Sequence, residues 1–172
     1  MSGILKPTSG EIILDNKYKI FNNSNWFHKV SFVHQDVFLF NDTIKNNICL
    51  KYKEKEFVDE DKLENVLNTL KIKSFFSSLP FNLNTFIDSD GLKLSGGQKQ
   101  LISIARAIYK ESEIIIFDEA NSAVDINYQN IFKEILMNLK GKKTIIIVSH
   151  DLSFLKFCDK VYEVKNKNIF DC

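Results

Sequence analysis

Leu94-Ser95-Gly96-Gly97-Gln98 is the stretch from which this chain is best read, and sixteen residues past Gln98 begins its counterpart, Ile114-Ile115-Ile116-Phe117-Asp118-Glu119. A Ser-Gly-Gly turn that opens a helix is an anion site. Small residues let backbone N–H groups approach phosphate oxygens, and the helix N-terminus favours negative charge. An apolar strand ending in two adjacent carboxylates suits a divalent cation and a water-activating base. Each motif also has a plainer reading. The first could be an ordinary glycine-containing helix start, and the second a pair of acids capping the turn that follows.

Working outward, the elements alternate. Glu11 to Leu14 predicts a short strand after the turn Pro7-Thr8-Ser9-Gly10, and Val30 to Val33 predicts a second one running into His34-Gln35-Asp36. Asp42 is expected to cap a short helix through Asn47, and residues 59–78 read as helical, with Leu63, Val66, Leu67 and Leu70 at helical spacing. A helix from Ser95 to Lys110 precedes the Ile114 strand. Asp125 is placed as the cap of a further helix, striped by Tyr128, Ile131, Phe132, Ile135, Leu136 and Leu139. Thr144 to Val148 is apolar and β-branched, as in an interior parallel strand. It leads to Ser149-His150, a short helix over 152–157 and a last strand over 161–164. Strands alternating with helices predict an α/β fold with a largely parallel sheet.

Composition narrows the class. At 172 residues, 44% of them apolar and 15 of them Phe, the chain is one globular domain by length. A net charge of +1 gives no electrostatic case for nucleic acid. Cys49, Cys158 and Cys172 show no metal spacing and read as free thiols of a reducing cytosol. No run approaches the roughly 18 apolar residues of a membrane helix.

The ordered motifs resemble those of the ATP-binding cassette (ABC) ATPases, over nearly the whole chain from Gly3 to Val164. The resemblance rests on Gln35 with Asp36-Val37-Phe38-Leu39-Phe40-Asn41-Asp42-Thr43-Ile44, which is similar to exporter-type cassettes, on Leu94 to Gln98, on Asp118-Glu119-Ala120, on Ser122-Ala123-Val124-Asp125 and on His150. It implies a P-loop NTPase-like (RecA-like) parallel-sheet core over 1–35 and 95–172, with an inserted helical subdomain over about 42–92. It further implies ATP and Mg²⁺ as ligands, hydrolysis driving export, and two kinds of partner: a second cassette in a dimer and the transmembrane domains of a transporter. The place implied is the cytoplasmic face of a membrane.

Roles follow residue by residue. Asp118 resembles the aspartate that orients Mg²⁺, and Glu119 the general base. Gln35 resembles the glutamine that senses Mg²⁺ and the γ-phosphate, and His150 the histidine that contacts that phosphate. Taken alone, His150 reads better as a cap of the helix that follows, and the order of all the motifs reverses that. Ser95, Gly96, Gly97 and Gln98 would face nucleotide held by the second cassette, and Asp125 would reach across to it. His28, His34 and Trp26 carry no such pattern and are expected to be structural.

The chain departs from the family in one large respect: no G-x-x-x-x-G-K-[ST] occurs in it. Gly141-Lys142-Lys143-Thr144 fails as a substitute, because it follows a helix and opens a strand. Leu5-Lys6-Pro7-Thr8-Ser9-Gly10-Glu11 matches the segment behind the family's phosphate loop, so that loop and the N-terminal strands are expected before Met1, itself then an internal methionine of a longer frame. The gap left in the sheet is expected to make the isolated chain unstable or dependent on a complement. Asp88-Ser89 also stands where exporters carry a Gly-Glu pair. Two functions fit: an exporter ATPase domain, N-terminally truncated and inactive alone, or a non-catalytic half-cassette lending its signature motif to an intact partner's ATP site. A DNA-maintenance ATPase is disfavoured, because the 60 positions from Gln35 to Ser95 (95 − 35) leave no room for long coiled coils.

Overall fold

The computed structural model describes residues 6–20, 26–51, 57–88, 94–120 and 126–172. Expectations for Leu5, Ser89 and Ser122 to Asp125 lie outside them.

Three parallel strands form the central sheet: β3 (Val30–His34), β6 (Ile114–Asp118) and β7 (Thr144–Val148), in the order β3-β6-β7. Before them lie a hairpin of β1 (Ile13–Leu14) and β2 (Tyr18–Lys19) and a helical turn, α1 (Trp26–Lys29). Alternate residues of β6 bury on opposite faces, as the strand period requires. Ile115 and Phe117 join the larger core with Leu101, Ile104, Phe132 and Phe154, while Ile116 packs with Ile20, Trp26 and Val30.

Two helices cover the larger face, α5 (Gly96–Tyr109) and α6 (Ile126–Leu139). Phe132 at its centre is fully buried and touches Phe117, Tyr128 and Phe154, with ring centroids 5.1, 5.9 and 5.5 Å away. Between β3 and α5 the chain builds a largely helical segment: β4 (Asp42–Thr43), α2 (Ile44–Cys49), α3 (Glu60–Leu70), α4 (Lys73–Ser77) and β5 (Phe86–Ile87), with β4 and β5 antiparallel. Its buried side chains belong to the same continuous core as the sheet.

Asn47 and Arg106 join this segment to α5. The buried Asn47 amide donates to the carbonyls of Phe40 and Thr43, and its oxygen accepts from the Phe40 N–H. Arg106 donates from Nε to the Asn47 carbonyl, from Nη2 to Asn47 Oδ1 and from Nη1 to the Phe38 carbonyl, at 2.6–2.7 Å.

Several boundaries differ from expectation. Thr43 rather than Asp42 caps α2, its hydroxyl accepting from the Asn46 N–H, while the Asp42 carboxylate accepts from the Thr43 N–H and the Asn46 amide. The helix over 59–78 breaks at Lys71, whose φ of +56° ends α3 in the left-handed region. Residues 152–157 are 3₁₀ rather than α. β8 (Tyr162–Lys165) is not the last strand, because Asn166 and Lys167, both with positive φ, turn it into β9 (Asn168–Asp171). β7 is not interior within the described sheet. It pairs only with β6, and Thr144 and Val148 stand exposed.

Candidate functional site

The register of the sheet sets up the site. Val30, Ile114 and Thr144 lie side by side at one end, so His34, Asp118 and Val148 lie side by side at the other. The residues that follow, Gln35, Glu119 and Ser149, therefore leave the sheet together at the carboxyl ends of its strands. That is where open parallel sheets bind ligands. Here an open cleft of about 460 Å³ is lined by His34, Gln35, Asp36, Asp118 and Glu119.

Glu119 has a φ of +52°, a conformation that costs a residue with a Cβ on the order of 1–3 kcal/mol. Its N–H donates to the Val148 carbonyl at 2.9 Å, which carries the β6–β7 ladder one residue past the strand. In this turned conformation its carboxylate stands 3.4 Å from His150 Nε2. The Glu119 side chain is 24% exposed and that of His150 is 99% exposed, so the imidazole closes on the acid from the solvent side. Behind His150, the Asp151 N–H donates to the Ser149 hydroxyl, and the Asp151 carboxylate accepts from the Ser153 N–H.

Asp118 is half-buried, with Oδ2 4.0 Å from His34 Nδ1. The His34 ring stacks on Phe32 at 4.8 Å between centroids. His34 was expected to be only structural, yet it lines the cleft. Its parity was the available signal, since a side chain at the end of β3 opposes the end of β6. Asp36 is the second residue that the motifs did not single out.

Ser95 caps α5 in a reciprocal box. Its hydroxyl accepts from the Gln98 N–H at 3.2 Å, and Gln98 Oε1 accepts from the Ser95 N–H at 2.7 Å. Ser95 and Gly96 are exposed. Gly97 is buried against Tyr128, where a Cβ would meet the Tyr128 Cβ at 2.9 Å. None of these four residues lines the cleft. Tyr128 in turn donates its hydroxyl to the carbonyl of Ala120, the residue after Glu119. The structure thus brings Gln35, Asp118, Glu119 and His150 to one edge and sets Ser95 to Gln98 apart from it.

A second open cleft, of about 410 Å³, lies between α2 and the end of α5 and includes Cys49, Lys62, Arg106, Tyr109 and Lys110. Its cations are engaged: Arg106 as above, Lys62 with Glu111, and Lys110 with the carbonyls of Phe27 and Val30. Asp59 also lines it, its N–H donating to the Tyr109 hydroxyl at 3.3 Å.

The family profile described as "ABC transporter" matches residues 1–122. An ATP-dependent lipid A-core flippase of Pseudoalteromonas translucida is 38% identical over 165 residues, covering 94% of this chain and 28% of the flippase. ABC transporter B family member 13 of Arabidopsis thaliana is 36% identical, covering 95% of this chain and 13% of that protein. The structure of a bacterial Atm1-family ABC exporter with ATP bound superposes with a TM-score of 0.76 at 30% identity, over 91% of this chain and 27% of the exporter. The chain thus spans only 13–28% of the length of these relatives.

Proposed function

Because the chain belongs to the ABC transporter family and carries part of an exporter-type ATP-binding cassette, we propose that it works as the hydrolytic portion of that cassette, driving export through a transporter's transmembrane domains. The observation that carries the proposal is the convergence of Gln35, Asp118, Glu119 and His150 at one sheet edge. In this reading residues 1–35 and 95–172 form the catalytic core and about 42–92 the helical subdomain.

Among the described residues, no three His, Cys, Asp or Glu side chains cluster to hold a metal alone. That fits Mg²⁺, an ion usually held by one or two carboxylates together with phosphate oxygens and waters. Asp118 and the Gln35 amide oxygen would hold it, and when bound it would neutralise charge developing on the phosphates. With that cation in place, the cleft, otherwise lined by three carboxylates, would take the phosphate end of ATP. The 172 residues contain no G-x-x-x-x-G-K-[ST], the loop whose backbone N–H groups and Lys cradle the phosphates.

Within the site, Glu119 accepts a proton from the attacking water, a contribution of about 10²–10⁴ in rate. His150 contacts the terminal phosphate while its Nε2 stays within reach of Glu119. Ser95, Gly96, Gly97 and Gln98 serve the nucleotide of a second cassette, Ser95 and Gly96 being exposed at the start of α5. Asp125 reaches across the same dimer. The partners are that second cassette and transmembrane domains, not nucleic acid, and the place of action is the cytoplasmic face of a membrane. No described helix is itself long and apolar enough to cross one.

A second reading draws on the missing phosphate loop: a half-cassette that only lends Ser95 to Gln98 to an intact partner. Mixing the chain with a complete exporter cassette separates the two. If the chain's own site hydrolyses, E119Q removes the ATP turnover gained on mixing. If turnover survives E119Q but falls with S95A, the half-cassette reading replaces the first.

A further inference from the structure

Gln100 lies in the second turn of α5, 3% exposed, among the apolar residues that cover the sheet. Its Nε2 donates to two successive backbone carbonyls, that of His34 at 2.9 Å and that of Gln35 at 2.8 Å. In an extended strand successive carbonyls point to opposite sides. That one nitrogen meets both places a sharp turn at the end of β3, at a residue that lines the cleft.

A primary amide suits this position because it sets two N–H groups on one uncharged atom. With Nε2 facing two carbonyls, the amide cannot be flipped. Its Oε1 is then buried with no hydrogen-bond partner among the described residues. An unmade hydrogen bond on a buried oxygen is a standing cost, and a Met or Leu here would fill the space without it. The amide is therefore poorly explained by core packing and well explained by the turn that it holds.

We infer that Gln100 is a positioning residue: it clamps the His34–Gln35 turn to α5 and so aims Gln35 into the cleft. α5 is also the helix that opens with Ser95 to Gln98, so the Gln100 side chain ties that helix to the turn carrying Gln35. The inference rests on the proposed role of Gln35 as a donor to the cation.

The test uses the isotope-labelled full chain with Mn²⁺ alone as probe. In the wild type, Mn²⁺ broadens the amide resonances of Asp118 and Gln35. Both side-chain amide protons of Gln100 exchange slowly with solvent. In Q100M, which removes both donors and the stranded oxygen at nearly constant length, broadening persists at Asp118 and falls at least threefold at Gln35. The carbonyl carbon resonances of His34 and Gln35 shift upfield while those of β6 stay in place.

Gln35 broadening that is unchanged in Q100M overturns the positioning role alone. Absence of broadening at both Asp118 and Gln35 in the wild type overturns the cation site, and this proposal with it. Fast exchange of either Gln100 amide proton in the wild type overturns the clamp without any variant, so the test holds even if Q100M fails to fold.

Discussion

Replacing Gly97 with Ala sets two effects of opposite sign against each other. In a helix Ala is favoured over Gly by at most about 1 kcal/mol, so a surface Gly→Ala change in α5 would stabilise. Gly97, however, is buried, and a Cβ there would lie 2.9 Å from the Tyr128 Cβ and 3.1 Å from its Cγ and Cδ2. Carbon atoms pack best at about 3.5–4.0 Å, so the first turn of α5 and the start of α6 must part by roughly 0.5–1 Å. Tyr128 cannot swing aside. Its ring stacks on Phe132 with the planes 9° apart, and its hydroxyl is held by the Ala120 carbonyl. Overpacking of this kind costs about 1–3 kcal/mol, which exceeds the helical gain. We expect G97A to be less stable by about 1–2 kcal/mol in urea titration, or roughly 2–8 °C in melting temperature for a chain of this size. In a Y128G background no Cβ remains to collide with, and the same substitution becomes neutral or stabilising. G97A as stable as the wild type, or more so, would refute the reasoning.

Three further outcomes follow from the structure. Arg106→Lys replaces a three-pronged donor with one ammonium that cannot reach the Asn47 carbonyl, Asn47 Oδ1 and the Phe38 carbonyl together; stability measured in urea falls by roughly 2–4 kcal/mol. Phe132→Ala removes the centre of the aromatic cluster and costs about 3–5 kcal/mol, read as a lower urea midpoint with an unchanged slope. The Ser153 backbone and side chain hold the Asp151 carboxyl below its ordinary pKa, so the stability it confers is present above that ordinary value and is lost as pH falls through the folded one. Circular dichroism between pH 2 and 5 should show a shallower acid slope for D151N than for the wild type.

The α/β order, and the grouping of Gln35, Asp118, Glu119 and His150 at one sheet edge, were legible because each motif sits where an element ends. An apolar run stopping at Asp118-Glu119 names both a strand and its carboxyl edge, and Ser95 with two glycines names a helix start. Local choices were less legible. Asp42 and Thr43 are both good caps, and the structure uses Thr43 while Asp42 braces it from the residue before. The turn pairs Asp15-Asn16 and Asn166-Lys167 adopt positive φ and form hairpins, a signal that Asp and Asn carry weakly without a following glycine. Residues whose importance comes from distant partners were the hardest to read. Gln100 meets carbonyls 65 and 66 positions away, Arg106 meets Asn47 59 positions away, and His34 gains its setting only when β3 is registered against β6. Nothing local in the sequence encodes those separations.

The central claim is that Gln35, Asp118, Glu119 and His150 form one nucleotide-facing cleft. Mn²⁺·ATP titrated into the isotope-labelled full chain tests it most directly, since a paramagnetic ion broadens the resonances nearest to it even when binding is only millimolar. The expected result is selective broadening at Gln35, Asp118, Glu119 and His150, relieved by excess Mg²⁺·ATP and lost in D118N. Broadening confined to other surfaces, or equally strong in D118N, would contradict the account.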